Sequence, residues 1–149
     1  MKYTSLDVRM KRYEAVSDVF LMRRTPVILR FDMCHGHTFT KGFDKPFDSV
    51  YMATMQKTME ALCNDIQGAV FGYTQSDEIT LLLMDDDTLT TDAFFDYNVQ
   101  KVCSITASMA TLKFNQYFRT ACNEFFAGKT NLGNYHTTMM CAKDKGAMF

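Results

Sequence analysis

The sequence predicts an α+β fold of the ferredoxin-like, split βαβ type, an antiparallel sheet with helices on one face. Three observations carry this. Two strand-like runs flank a tight acidic turn between residues 69 and 84. A third apolar, β-branched run sits at 27–31. Helical periodicity fills 50–66 and 91–126, so that the order after a first helix is β-α-β-β-α, with a further strand starting at the last three residues. The chain has 149 residues, which predicts a single domain over 1–149 with enough length to bury a core.

Each element has a local reason. Residues 5–22 predict a helix: Ser5 is an N-cap candidate, and Leu6, Met10, Tyr13, Val16 and Phe20 recur at three- and four-residue spacing. Pro26 disfavours α geometry at Thr25 and stops it. Val27 to Phe31 then reads as a buried strand that runs into Asp32. Met33 to Asp48, with Gly36, Gly42 and Pro46, reads as a loop. Ser49 is placed to cap a helix over 50–66 whose stripe is Met52, Met55, Met59, Leu62, Cys63 and Ile66. After Gly68, residues 69–74 and 78–84 form a hairpin around Gln75-Ser76-Asp77, closed by Asp85-Asp86-Asp87. A long helix over 91–126 is capped by Thr91 or Asp92. Residues 127–146 read as an irregular loop, and Ala147-Met148-Phe149 as the start of a strand.

Composition excludes several classes. Hydrophobic residues make up 47% and charged residues 22%, ordinary globular values. No apolar run approaches the ~18 residues of a membrane span, and the charged first twenty residues are no secretory signal. The five cysteines (34, 63, 103, 122 and 141) are odd in number and show no C-x-x-C spacing, which points to a reduced, cytoplasmic protein. Cys63, Cys103 and Cys122 fall on helical apolar faces and are expected in the core.

Charge is uneven. Residues 1–48 hold nine Lys/Arg against six Asp/Glu, residues 49–99 one against nine, and residues 100–149 six against two. A carboxylate centre that binds cations, flanked by basic surface that meets phosphates, is one reading; solvated faces are the other. The N-terminal set Arg9, Lys11, Arg12, Arg23 and Arg24 divides the same way, between a solvated helix face and contact with nucleic-acid phosphates.

Asp32 follows the first strand, and Asp77 and Glu78 sit in the hairpin turn. In a split βαβ sheet the first strand lies beside the strand leaving this hairpin, so these acids converge at one sheet end. Carboxylates that close together repel unless one protonates or cations lie between them. Oxygen-only ligands suit Mg²⁺, and two such ions serve phosphoryl transfer. The alternative is that the acids are turn formers. Cys34, His35 and His37 do not signal a zinc site, since no second ligand pair accompanies them.

The residues Arg30-Phe31-Asp32, His37-Thr38-Phe39-Thr40, Lys41 to Asp48 (with Lys45-Pro46-Phe47-Asp48 as K-P-x-D) and Gly72-Tyr73-Thr74-Gln75-Ser76-Asp77-Glu78 resemble the tRNA(His) guanylyltransferase family. The likeness runs from about residue 12 to 126 and is greatest to the bacterial and phage-type branch of 3′–5′ polymerase-like proteins. It implies a polymerase-palm domain of the split βαβ type. It implies that Asp32, Asp77 and the Met33 carbonyl bind two Mg²⁺ ions, with Glu78 either supporting the metal or holding the turn. Asp32, Met33, Cys34, His35, Gly36 and His37, with Ser76 and Asp77, match the segments that hold the nucleoside triphosphate; His37 is a phosphate donor or a loop hydrogen bonder. Lys45 and Asp48 match the K-P-x-D lysine, a catalytic contact to phosphate, and its aspartate.

The implied reaction adds a nucleotide to the 5′ end of a tRNA, using GTP, ATP or other nucleoside triphosphates. The 5′ phosphate is activated, the 3′-hydroxyl of the incoming nucleotide attacks it, and pyrophosphate is released. Guanylylation and templated 5′-end repair both fit, and a binding module that keeps the palm without turnover is the alternative. The family's first motif is R-x-D-G-R-x-F-H; here Met33, Cys34 and Gly36 replace its glycine, arginine and phenylalanine. A methionine at 33 is expected to strain a positive-φ backbone. The family continues past the strand beginning at Ala147, so the resemblance implies a shortened distal end and a homo-oligomer, a dimer or tetramer.

Overall fold

The computed structural model describes residues 4–127 and Phe149. Its elements are α1 (Ser5–Glu14), a 3₁₀ turn (Ala15–Ser17), β1 (Val27–Asp32), α2 (Gly36–Phe39), α3 (Ser49–Asp65), β2 (Ala69–Gln75), β3 (Glu78–Leu83), a short turn (Phe94–Tyr97) and α4 (Val99–Phe126). The sheet order is β1-β3-β2, with both pairings antiparallel. This is the neighbour relation that the split βαβ reading requires, and α3 and α4 pack together behind the sheet. The expected fourth strand and the loop over 127–146 lie outside the described residues, apart from Ala127 and Phe149. Phe149 is not in a strand; its N–H donates to Thr111 Oγ1 over 3.0 Å and its ring meets Phe114.

Burial alternates as the strand period demands. Ile79, Leu81 and Leu83 of β3 are fully buried, while Glu78, Thr80 and Leu82 face the other side. Five rings, Phe39, Phe43, Tyr51, Phe114 and Phe118, interlock between α2, α3 and α4 with centroids 5.5–6.3 Å apart. This cluster anchors the loop that follows β1, because Phe39 and Phe43 belong to it.

Four expectations about elements need correction. The first helix stops at Glu14 rather than 22 and is capped by Thr4, not Ser5, in a reciprocal box with Asp7. None of its residues is buried, and Leu6, Met10 and Tyr13 are about half exposed or more, because no described element covers that face. Residues 19–21 instead run extended beside 97–99: Leu21 N–H donates to the Tyr97 carbonyl over 3.1 Å, and Val99 N–H to that of Val19 over 2.8 Å.

Helix α3 is capped by Asp48, whose Oδ1 accepts from Tyr51 N–H over 2.9 Å. Its inner face therefore runs Tyr51, Met55, Thr58 and Leu62, and Met52 turns outward. Thr54 and Thr58 tolerate burial because each hydroxyl donates to the carbonyl four residues back, over 2.8 Å.

The last helix starts at Val99, not near 91, because Phe95, Asp96 and Tyr97 have left-handed φ of 49°, 52° and 57°. Asn98 caps it, its Oδ1 accepting from Lys101 N–H over 3.1 Å. Cys103 is exposed rather than in the core; Cys63 and Cys122 are half-buried, and burial pushes their thiols up. The predicted loop 33–48 contains the four-residue helix α2.

Candidate active site

Register brings the predicted acids together. Asp32, the last residue of β1, lies opposite Glu78, the first of β3. Asp77 immediately precedes it in the two-residue turn Ser76-Asp77. Ser76 has φ of 56°, the left-handed geometry that two-residue hairpin turns use. One backbone bond locks the two acidic segments: Met33 N–H donates to the Asp77 carbonyl over 3.1 Å.

The loop after Asp32 folds over this turn. The Met33 carbonyl accepts from Gly36 N–H over 3.1 Å, which leaves its second lone pair free for another partner. Met33 is buried and does not take a positive φ, so the expected strain is not at this position. The left-handed residue is His35, with φ of 57°, immediately before Gly36. Gly36 is needed for a different reason: a Cβ there meets Asp77 Oδ2 at 2.1 Å. The missing side chain lets the Asp77 carboxylate lie against the first residue of α2. Cys34, His35 and His37 are exposed on the same loop.

The side chains of Asp32 and Asp77 make no hydrogen bond or ion pair among the described residues. Both act on one further group. Tyr51 is pushed up by burial, then by the charges of Asp77 and Asp32. Glu78 does not join them, since its carboxylate pairs with Arg30 on the neighbouring strand. Among the described residues no three His, Cys, Asp or Glu side chains cluster as a metal cage. The donor set is two carboxylates and one backbone carbonyl, all oxygen, which fits Mg²⁺ with its remaining positions left to substrate and water.

Beside the acids opens a pocket of about 540 Å³. Lys45 and Ser76 line it, as do Thr40, Phe43 and Tyr51. Asp48 also lines it, but both its oxygens serve the fold: Oδ1 caps α3 and Oδ2 accepts from Asp44 N–H over 3.3 Å. Sequence reasoning had no signal for Tyr51, which falls one position from the methionine stripe it assigned to the core. Of the basic set, Arg23 and Arg24 are committed elsewhere. Arg23 Nε donates to Asp85 Oδ2 and Arg24 N–H to Asp85 Oδ1, each over 2.8 Å.

The family model for Thg1, tRNAHis guanylyltransferase, matches residues 7–142. The chain belongs to this family. Two solved structures of a bacterial tRNA(His) guanylyltransferase (Thg1)-like protein, one in complex with GTP and one with ATP, are similar to it at 46% identity. Their TM-scores are 0.72 and 0.73, and each match covers 78% of this chain and 53% or 52% of that one. The crystal structure of the tRNA(His) guanylyltransferase of Saccharomyces cerevisiae matches at 19% identity and TM-score 0.61, over 86% of this chain and 52% of that one, a likeness of fold. An uncharacterised protein of Acanthamoeba polyphaga mimivirus is 36% identical over 117 residues, 74% of this chain and 40% of its own length. The chain thus spans about half the length of the structures it matches. The fold is the palm of this family, and no helix among the described residues is long and apolar enough to cross a membrane.

Proposed function

We propose that this chain is a metal-dependent nucleotidyltransferase that adds nucleotides in the 3′–5′ direction to the 5′ end of a tRNA. The observation that carries this is the pair Asp32 and Asp77, fixed at one sheet end by strand register and left without protein partners. Register sets both residues at one sheet end, and neither carboxylate has a protein donor among the described residues, an arrangement that suits a bound cation. Family membership and the GTP- and ATP-bound relatives support the same reading.

Asp32, Asp77 and the Met33 carbonyl would hold Mg²⁺, two ions in this reading, which would polarise a phosphoryl oxygen and favour the attacking hydroxylate. The rest falls to the chain's own residues. Lys45 is an exposed point charge at the pocket, suited to a triphosphate. Ser76 presents a hydroxyl at its edge, and Cys34, His35, Gly36, His37 and Asp48 belong to the segments that surround the nucleotide. Arg30 holds Glu78 off the acid pair and so keeps it from adding a third negative charge there. We place the reaction in a reducing, cytoplasmic setting, consistent with free cysteines at 34, 63, 103 and 122. Self-association belongs to the proposal too, given the uncovered apolar face of α1.

The test is incorporation. The chain is incubated with Mg²⁺, ATP, GTP and 5′-labelled tRNAs, one intact and one lacking its first nucleotide. Extension of the truncated tRNA assigns repair; extension of intact tRNA(His) alone assigns guanylylation. No extension of either, with nucleotide still bound, would overturn the enzyme reading and leave a binding module.

A further inference from the structure

Tyr51 has a firmly held ring and an unused hydroxyl. The ring packs between Phe39, Phe43 and Phe114, with centroids 6.3, 5.9 and 6.1 Å away. Its backbone N–H is tied to Asp48 in the first turn of α3. The residue is only 7% exposed. Yet among the described residues its hydroxyl is the one buried side-chain polar atom without a hydrogen-bond partner. Buried hydroxyls are nearly always bonded, so an exception points to a partner from outside the protein.

The surroundings say what that partner is. Tyr51 lines the pocket of about 540 Å³ beside the acid pair, within the size range of small-molecule sites. A phenol is protonated near neutral pH, so toward a ligand it offers a donor. The pocket wall is largely apolar: Phe43, Phe47, Met52 and Met55 supply flat or pliable surface. Asp44 and Asp48 line it as well, against the single cation Lys45. A polyanionic triphosphate is repelled from such a floor, whereas an uncharged heterocycle fits it. The triphosphate then lies toward Lys45 and the acid pair.

We propose that the Tyr51 hydroxyl is a further substrate-binding donor, giving its hydrogen bond to a ring nitrogen or carbonyl oxygen of the base of the nucleotide seated in this pocket. The inference rests on the nucleotidyltransferase reading and adds to it the residue that touches the base.

The test uses Tyr51→Phe in the full chain, which deletes the hydroxyl and keeps the ring packing. Affinities for GTP, ATP, guanosine and adenosine are measured by calorimetry, beside a thermal melt. The expected result is roughly tenfold weaker binding of both a nucleotide and its nucleoside. The melting temperature should be unchanged or higher, because a buried unbonded group has been removed. A base analogue lacking the acceptor should bind the parent chain as weakly as Tyr51→Phe binds the normal base, with no further loss when both changes are combined. Equal affinities in the parent and Tyr51→Phe would overturn the inference while leaving the nucleotidyltransferase reading intact. A loss seen with triphosphates but not with nucleosides would overturn the assignment to the base. A parent chain that binds no nucleotide would overturn both readings together.

Discussion

Strand β3 has an aspartate beyond each end, and the two have opposite fates. Asp77, before Glu78, carries a carboxylate with no hydrogen bond or ion pair among the described residues. Asp85, two residues past Leu83, is 2% exposed and fully engaged. It accepts from Arg23 Nε and Arg24 N–H, and from the hydroxyl of buried Tyr97. In the proposed reading the same residue type thus serves chemistry at one end of the strand, and it serves cohesion at the other. What separates them is the supply of donors. The segment before Pro26 delivers to Asp85 the Arg23 guanidinium and the Arg24 backbone N–H, while the loop after Asp32 brings to Asp77 only a glycine. A buried charge persists only when bonded, so Asp85 fixes the N-terminal segment to the turn before α4. A pair of unpartnered charges persists at the rim because solvent or a cation can reach it.

Exchanging each acid for its amide breaks this comparison most directly. Asp77→Asn should lower incorporation by at least about 100-fold, since metal-assisted charge stabilisation supplies several kcal/mol. Its melting temperature should hold, because the Asp77 carboxylate makes no hydrogen bond or ion pair among the described residues. Asp85→Asn should do the reverse, with a drop of roughly 10 °C in the melt and little change in turnover per folded molecule. Loss of turnover at native stability in Asp85→Asn would erase the distinction. A smaller effect is expected from Gly36→Ala. The added Cβ, 2.1 Å from Asp77 Oδ2, displaces that carboxylate and should cost roughly tenfold in incorporation. An unaltered rate there would show that Asp77 need not lie against α2.

Acid titration sharpens the contrast further. Burial raises the Asp85 carboxyl, but the Arg23 hydrogen bond, the Arg24 amide and the Arg23 charge outweigh it, and hold it below the ordinary value of 3.8. A depressed carboxylate stabilises the fold above its unfolded pKa, and that contribution drains away as pH falls through the folded one. The parent chain should therefore lose stability more steeply below pH 3.8 than Asp85→Asn does, measured by denaturant midpoints across acid pH. Parallel curves for the two proteins would remove Asp85 from the acid transition.

The sequence made one of these ends far more legible than the other. The hairpin tip could be read because strand alternation on both sides of Gln75-Ser76-Asp77 leaves a single turn, and split βαβ order then sets Asp32 beside it. Asp85 could not be assigned a role, since its partners Arg23 and Arg24 lie more than sixty residues away and look like any solvated basic pair. The same remoteness hid the true start of α4: three left-handed residues at 95–97 are imposed by the Asp85–Tyr97 contact and the pairing with 19–21, not by local propensity. Tyr51 was missed because the expected stripe took Met52 as its first-turn member, whereas Tyr51, four residues before the correctly placed Met55, is the one that turns inward. Gly36 read only as the replacement of a family phenylalanine, and its approach to Asp77 shows why a side chain does not fit there.

In the proposed reading Asp32 and Asp77 form a cation site, and Asp85, engaged by Arg23 and Arg24, does not. Mn²⁺ binding followed by electron paramagnetic resonance tests it without any need for turnover. The parent chain and Asp85→Asn should take up the ion with similar affinity, and Asp32→Asn and Asp77→Asn should lose it. Equal binding by all four proteins, or loss in Asp85→Asn alone while it remains folded, would contradict the account.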